Sequence, residues 1–189
     1  MRHLSRVTAA ACLAALLLCA CSTTDAPPAK PSARLQLRLP PAALGQSISL
    51  QQHLTVEREG RTDQLDTALE IDAEHLDLVG LAFGQRVMSL HYDGHELRTW
   101  RHFMLPQQVQ GEDVLQDVQL TLWPAEAIRK GLPTGWTLRE NDGQRTLLLG
   151  EETIAVINYP DHKAWGGKVV LTNLRYRYKL TIQSVVTSE

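Results

Sequence analysis

Histidines and carboxylates are the side chains in this sequence whose types and spacing would suit metal binding or catalysis. His91 and His95 flank a predicted two-residue turn at Asp93-Gly94. If that turn joins two strands of a hairpin, the imidazoles could face each other and bind a metal ion together with Asp93 or His102. Solvated strand ends explain the same residues more simply. We therefore predict no metal site, and leave open whether His91 and His95 have any role.

Motifs that mark common catalytic and nucleotide-binding sites do not occur in the sequence. It contains no Gly-x-Ser-x-Gly, no Gly-x-x-x-x-Gly-Lys-Ser/Thr, no His-Glu-x-x-His and no Gly-x-Gly-x-x-Gly. Asp161 and His162 are adjacent and would need a distant serine to form a hydrolytic pair, a geometry that spacing cannot predict. We predict no catalytic residue, no cofactor and no enzymatic activity.

A cysteine near the N-terminus predicts a different chemistry, the covalent attachment of lipid. Two arginines precede the apolar segment 7–18, which suits a signal peptide and is too short to span a bilayer. The sequence Leu-Cys-Ala-Cys at 18–21 resembles a bacterial lipoprotein box. A small residue at Ala20 suits the signal peptidase, and the Cys21 sulfur can accept a diacylglycerol. We predict a signal peptide over residues 1–20 and lipidation of Cys21.

The residue after Cys21 bears on location. Ser22 resembles an outer-membrane sorting signal, because lipoproteins kept in the inner membrane of Gram-negative bacteria commonly have Asp there. We expect the diacylglycerol to anchor the chain to the periplasmic face of the outer membrane, with residues 21–33 as an extended, lipidated tether. Residues 34–189 then form a single domain.

Composition excludes several classes of protein. The chain has 189 residues, of which 43% are hydrophobic and 21% charged, as suits one globular domain. Its formal net charge of −2 lacks the basic field that nucleic-acid binding requires, so we predict no nucleic-acid partner. Once residues 1–20 are removed, Cys21 is the remaining cysteine, which excludes disulfides and cysteine-ligated metals.

Short apolar segments with a period of two dominate the rest of the sequence and predict about ten strands, beginning with residues 35–39. The segment 123–131 predicts a helix that begins at Pro124 and has Gly131 just after its end. Residues 114–122 fit either a strand or an extension of that helix. The predicted fold class is mainly β: a curved antiparallel sheet or unclosed β-barrel of about ten strands, with a helical lid against its concave face.

Two predicted connections have apolar residues where polar ones are expected. Leu81 and Phe83 lie in the glycine-bounded segment 80–84, and Trp165 lies in the segment 159–167. Because connections run over the surface, such side chains either fold back into the core or project to meet a membrane or ligand. We predict that Leu81, Phe83 and Trp165 contact lipid or membrane, with inward packing and capping of the sheet as the alternatives.

Basic residues near the C-terminus alternate with aromatic ones. A period of two places Arg175, Arg177 and Lys179 on one face of a predicted strand. That face could meet anionic headgroups or a partner protein, whereas an ordinary solvated strand face is the simpler interpretation. Interleaved cations and aromatic rings also occur on nucleic-acid surfaces.

Several of these features together resemble an uncharacterised family of proteobacterial lipoproteins. That family is often encoded beside genes for the biosynthesis of aryl polyenes, which are polyketide-like pigment lipids. The resemblance covers nearly all of the chain after residue 20, and its motifs are structural rather than catalytic. The residues that carry it are the lipoprotein box, segment 80–84, segment 120–124, Gly135-Trp136 and the segment from Ala164-Trp165-Gly166-Gly167 to Tyr178.

More distantly, the lipid anchor and the strand–helix–strand order resemble the outer-membrane lipoprotein receptor of the lipoprotein-localisation (Lol) pathway and its soluble carrier. That resemblance implies an unclosed β-barrel with a helical lid over an apolar cavity that accepts acyl chains. It also implies a projecting loop with an apolar tip, which would be Leu81 or Phe83 here. The sequence departs from the pattern in its two bulky tip residues, its single evident helix and its few aromatic residues.

These expectations favour a lipid-binding lipoprotein without catalytic activity. It would accept an acylated or polyene-acyl molecule, with a periplasmic carrier protein as a further candidate partner, and aid delivery to the outer membrane. The alternative is an envelope scaffold that binds a protein through an exposed strand edge or through the face with Arg175 and Arg177.

Overall fold

The computed structural model describes residues 34–187, which contain ten strands, two α-helices and a short 3-10 helix at Pro41–Leu44. In chain order the elements are β1 Ile48–Arg58, β2 Arg61–Ile71, β3 Leu76–Ala82, β4 Gln85–Tyr92, β5 Leu97–Arg101, α1 Gly111–Leu122, α2 Ala125–Gly131, β6 Trp136–Asn141, β7 Gln144–Leu149, β8 Glu152–Asn158, β9 Lys168–Asn173 and β10 Tyr178–Val186. Neither α-helix of this part of the chain is long and apolar enough to cross a bilayer.

All ten strands form one antiparallel sheet in the order β5-β4-β3-β2-β1-β10-β9-β8-β7-β6. Strands that are neighbours in the sequence pair with each other, and β1 pairs with β10 to join the first five strands to the last five. Strands β5 and β6 are left as the two edges, so the sheet curves around the helices without closing. The predicted fold class is therefore confirmed.

Three hairpins end in two-residue turns, at 59–60, 83–84 and 142–143, in which both residues have positive φ. These are the backbone angles of a type I′ turn, whose twist matches the right-handed twist of the flanking strands. The turns fix the register of the strands, and therefore which side chains face the helices.

The two-residue turn predicted at 93–94 is wrong. Tyr92 pairs with Leu97, so the connection has four residues, and only Gly94 among them has positive φ. The carboxylate of Asp93 accepts hydrogen bonds from the backbone N–H groups of His95 and Glu96 at 2.8 and 2.7 Å. This local side-chain bonding stabilises the longer turn, and it also lowers the pKa of Asp93.

The segment whose structure was left open, 114–122, belongs to helix α1. Leu115, Gln119 and Leu122 are all buried, and their i, i+4, i+7 spacing places them on one face of a helix. The alternation of apolar residues at 118, 120 and 122 fits a strand equally well, so only packing against the sheet distinguishes the two.

The strand predicted at residues 35–39 is not formed, because no strand of the described chain pairs with this segment. Leu35, Leu37 and Leu39 are nevertheless buried in alternation. The side-chain amide of Gln119 accepts a hydrogen bond from the Leu39 N–H at 3.0 Å and donates one to the Leu39 carbonyl at 2.8 Å. A fully buried glutamine of α1 thus takes the place of a neighbouring strand.

Helix α2 is confirmed with a small shift of its ends. Pro124 is the N-cap rather than the first residue, and Gly131 is the last helical residue rather than the one after it. Gly131 is required for space: a Cβ atom there would lie 2.3 Å from Leu39 Cδ2. The glycine therefore permits close packing of α2 on the N-terminal segment.

Candidate functional site

The hairpin between β3 and β4 ends in an exposed aromatic side chain. Phe83 is 98% exposed, and Leu81, two residues earlier, is 38% exposed. Phe83 has a φ of 52°, in the left-handed region that bulky residues rarely adopt. Phe83 therefore destabilises its turn, and its ring does not pack against residues 34–187. This suggests that the phenylalanine serves to contact another molecule.

We expect the substitution Phe83→Asn to stabilise the fold by about 0.5–1 kcal/mol, because asparagine adopts positive φ more readily than phenylalanine. Thermal unfolding of the purified protein measures this as a rise in Tm. The matched control is Phe103→Asn, since Phe103 is 87% exposed and is not among the residues with positive φ. A lower Tm for Phe83→Asn, or the same rise in both variants, would contradict the strain argument.

Apolar side chains are also left partly exposed on the concave face of the sheet beside this hairpin. Leu54 pairs with Leu65, and Val56 pairs with Leu180. Strand alternation puts all four on the same face as Leu50, which is 1% exposed, yet each of the four is only partly buried. We call these four residues the concave apolar surface. A Cβ atom at Gly80 would lie 3.5 Å from Leu65 Cδ1, so this surface continues toward the hairpin tip.

The rest of the concave face is filled by the chain itself. Trp123 and Ile128 are 0% exposed and Leu115 is 1% exposed, and they pack between the sheet and the helices. Two surface depressions, of about 330 and 570 Å³, lie elsewhere, on the outer face of β3–β5 and at the β1–β2 and β9–β10 turns. Trp123, Ile128 and Leu115 thus occupy part of the space where the Lol resemblance implies a cavity. A ligand would use the concave apolar surface or displace α1.

A buried carboxyl group attaches α1 to β10 next to the concave apolar surface. Tyr178, two residues before Leu180, donates its phenolic hydrogen to Asp117 Oδ2 at 2.5 Å. Asp117 Oδ1 is buried and has no hydrogen-bond partner among residues 34–187. Burial raises the pKa of Asp117 to about 7, although the bond from Tyr178 acts in the opposite direction. Burial also raises the pKa of Tyr178, so its hydroxyl stays a donor.

Trp165 lies in the connection between β8 and β9, and its side chain is partly buried. Together with Ala164 it packs against the main core. This is the placement expected for the alternative, a side chain that caps the sheet. Contact of Trp165 with a lipid or membrane stays a prediction.

The single strand face predicted for Arg175, Arg177 and Lys179 is not formed. Strand β9 ends at Asn173, and a turn separates it from β10, so only Lys179 is in a strand. The side-chain oxygen of Asn173 accepts a hydrogen bond from the Tyr176 N–H at 2.9 Å, which stabilises the turn. Arg177 has a φ of 53° there.

Two of these three basic side chains are engaged within the chain. The Arg175 guanidinium donates to Glu152 at 2.7 Å and lies 5.9 Å from the ring centroid of Trp136. The Lys179 ammonium pairs with Glu57 at 2.8 Å. Binding of a partner or of headgroups by these residues stays a prediction, but no common basic face supports it.

The histidines form pairs with aspartates on the surface. His91 Nδ1 lies 2.8 Å from Asp77 Oδ1, whereas His95 lies in the turn that Asp93 stabilises. His53 Nδ1 lies 2.8 Å from Asp66 Oδ1 in the same way, across the β1–β2 strand pair. Residues 34–187 contain no group of three or more His, Cys, Asp or Glu side chains that could hold a metal ion. Asp161 accepts a backbone hydrogen bond from Lys168 at 2.9 Å, a structural role.

Sequence reasoning missed the exposed apolar residues at the end of β5. Trp100, Phe103 and Met104 are 42%, 87% and 50% exposed. The signal available in the sequence is a group of large apolar residues directly before the polar segment 106–108. Cys21 and Ser22, the predicted lipidation and sorting residues, lie outside the described residues.

A protein-family model matches most of the described chain. The model of the family described as "Protein of unknown function (DUF3261)" matches residues 49–186. The chain belongs to this family. The DUF3261 match includes both helices, the β3–β4 hairpin and the concave apolar surface, so these features lie within the part that defines the family.

Among solved structures, the DUF3261 chain is similar to the crystal structure of a LolA superfamily protein from Nitrosomonas europaea. The two share 8% sequence identity with a TM-score of 0.40, over 79% of this chain and 86% of that one. A similarity of this size carries no argument about function. No curated protein matches the sequence.

Proposed function

We propose that this protein binds the acyl chains of a lipid or lipid-linked molecule and does not catalyse a reaction. The observation that carries the proposal is the concave apolar surface, which lies beside α1, remains partly exposed and leads toward the exposed tip at Phe83. About eight methylene groups laid on such a surface would gain roughly 6 kcal/mol, at about 0.8 kcal/mol each, before the cost of ordering the ligand.

Helix α1 is the element that would respond to a ligand. Its last four residues, 119–122, are buried, whereas Val114 and Val118 are only partly buried. Asp117 attaches this part of the helix to Tyr178 through one hydrogen bond and leaves its other oxygen unsatisfied. An acyl chain on the concave apolar surface would contact the same part of α1, the part with the fewest fully buried apolar side chains.

The proposal also covers the location of the protein and the cargo that it carries. A diacylglycerol on Cys21, with Ser22 as the sorting residue, would hold the protein on the periplasmic face of the outer membrane. Leu81 and Phe83 would then contact the membrane while the cargo is delivered. The family resemblance described above supports an aryl-polyene lipid or the acyl chains of lipoproteins as cargo, received from a periplasmic carrier protein. An envelope scaffold has less support, because Arg175 and Lys179 already bind carboxylates of the same chain.

A matched pair of substitutions on β1 tests the proposal. Val56 and Thr55 are adjacent and point to opposite faces of the sheet. We expect Val56→Gln to weaken binding of a fluorescent fatty acid about tenfold and Thr55→Gln to leave it unchanged, because only the first makes the concave apolar surface polar. Fluorescence titration of both variants measures this. Equal affinity in the two variants, or an absence of binding to the unmodified protein, would rule out this site.

A further inference from the structure

A second apolar protrusion lies beside the β3–β4 tip. Met88 of β4 pairs with Arg101 of β5, and the His102 N–H donates to the Val87 carbonyl at 2.8 Å. The chain that follows β5 therefore leaves the sheet next to the start of β4, at the end of the sheet that carries Phe83. Phe103 and Met104 lie in this segment and are 87% and 50% exposed.

The second protrusion is held in place by hydrogen bonds. The Leu105 N–H donates to the His102 carbonyl at 3.1 Å, which closes a turn with Phe103 and Met104 at its centre. The Met104 N–H donates to His102 Nδ1 at 3.2 Å, and the Arg101 guanidinium donates to the Pro106 carbonyl at 2.8 Å. These exposed apolar side chains are thus presented on a backbone that is already ordered, which reduces the entropy cost of binding.

Positive charge flanks the two protrusions. The Arg86 guanidinium lies 4.9 Å from the ring centroid of Trp100. Arg86 is on β4, two residues after the β3–β4 turn, and β4 lies between β3 and β5, so Arg86 is between the two tips. Neither Arg86 nor Arg101 forms an ion pair with a carboxylate of residues 34–187. Projecting apolar tips beside unneutralised arginines suit the surface of a bilayer, where the tips enter the acyl region and the arginines meet anionic headgroups. A protein partner would more usually bind such exposed apolar side chains in pockets of its own.

We propose that Phe103 and Met104 form a second membrane-inserting tip beside Phe83, and that Arg86 contacts anionic lipid headgroups. The inference rests on the proposed function and deepens it, because it names the bilayer as the partner of this end of the sheet. Two adjacent tips would define how the molecule is oriented on the membrane, with the concave apolar surface next to the lipid.

Photo-cross-linking from position 103 of the full chain tests the inference. Benzoylphenylalanine at 103 is compared with benzoylphenylalanine at 185, because Val185 is also exposed (67%) and lies on β10, five strands away from β5 in the sheet. Both proteins share residues 1–33, so any attachment by that segment is the same. On vesicles of phosphatidylethanolamine and phosphatidylglycerol we expect about tenfold more lipid adduct at 103 than at 185, by mass spectrometry. Equal adducts, or cross-linked dimers of the chain at 103, would overturn the proposal.

A second measurement tests the role of charge. In the protein labelled at 103, Arg86→Gln should lower the proportion of phosphatidylglycerol among the adducts about fivefold, because one arginine near an anionic surface contributes roughly 1 kcal/mol. An unchanged proportion would refute the headgroup contact. The fatty-acid titration of Val56→Gln reports on the concave surface in the absence of vesicles, so failure of that site and failure of the membrane tip are separate results.

Discussion

Substitution of Arg145 by alanine will lower the free energy of unfolding by about 3–5 kcal/mol, because buried carbonyl groups lose their hydrogen-bond donor. Arg145 lies on β7 and is 6% exposed. Its Nε donates to Glu140 at 2.7 Å, and its Nη1 donates to the carbonyl groups of Leu120 and Trp123, both at 2.9 Å. These carbonyls are at the C-terminal end of α1, where no further helical turn can satisfy them.

Removal of this guanidinium leaves two buried carbonyl groups without their donor, which is unfavourable in a core, and it also removes the ion-pair partner of Glu140, whose side chain is 39% exposed. Chemical denaturation of the purified variant measures the loss. Arg145→Lys should recover part of the stability, since it keeps the charge but cannot bond to the carbonyls and Glu140 at once. The control is Arg139→Ala on the paired strand β6, an exposed position where we expect a change within about 0.5 kcal/mol. Equal losses in the two alanine variants would contradict the capping role.

Substitution of Asp117 by asparagine will make the protein more stable at alkaline pH, by about 2 to 4 kcal/mol near pH 8. Burial raises the pKa of the native carboxyl group to about 7, from an ordinary value of 3.8. Between these values the native state binds more protons than the unfolded state, so stability falls as pH rises through this window and levels off above it. Asparagine is uncharged at every pH in this range, and it can still accept the hydrogen bond from Tyr178.

Denaturation curves between about pH 4 and pH 8 check this prediction. The unmodified protein and Asp117→Asn should be similar at the acid end and diverge as pH rises. Glu112→Gln is the control, because Glu112 is an exposed carboxylate in the first turn of the same helix. It should show the same pH dependence as the unmodified protein. Parallel curves for Asp117→Asn and the unmodified protein would show that this carboxyl group is not protonated in the native state.

Much of the sheet could be predicted from the sequence because its signals are local. Alternating apolar residues identify the strands. The sequence Glu-Gly-Arg at 59–61, between two such segments, predicts a hairpin turn, and the structure has the β1–β2 turn there at 59–60. The segment 35–39 shows the limit of this reasoning: its alternation correctly predicts which leucines are buried, but not that Gln119 replaces a neighbouring strand.

The candidate site was predictable in part for the same reason. Apolar residues between two glycines indicated an exposed tip at Leu81 and Phe83, and the structure places both at the surface. A period of two put Arg175, Arg177 and Lys179 on one face, but the chain turns there, and the side-chain oxygen of Asn173 stabilises the turn by accepting a hydrogen bond from the Tyr176 N–H. The tip at Phe103 and Met104 was missed, because Phe and Met are among the residue types most often buried.

The sequence by itself determined the class of fold, the predicted lipid attachment at Cys21 and the apolar residues that project from one hairpin. Each of these depends on residues within a few positions of one another. Only the tertiary structure decided that α1 fills the curved sheet, that Arg145 caps it and that the carboxyl group of Asp117 is buried against Tyr178, 61 residues away. Burial and the pairing of distant polar groups are properties of the packed chain, so no local pattern in the sequence records them.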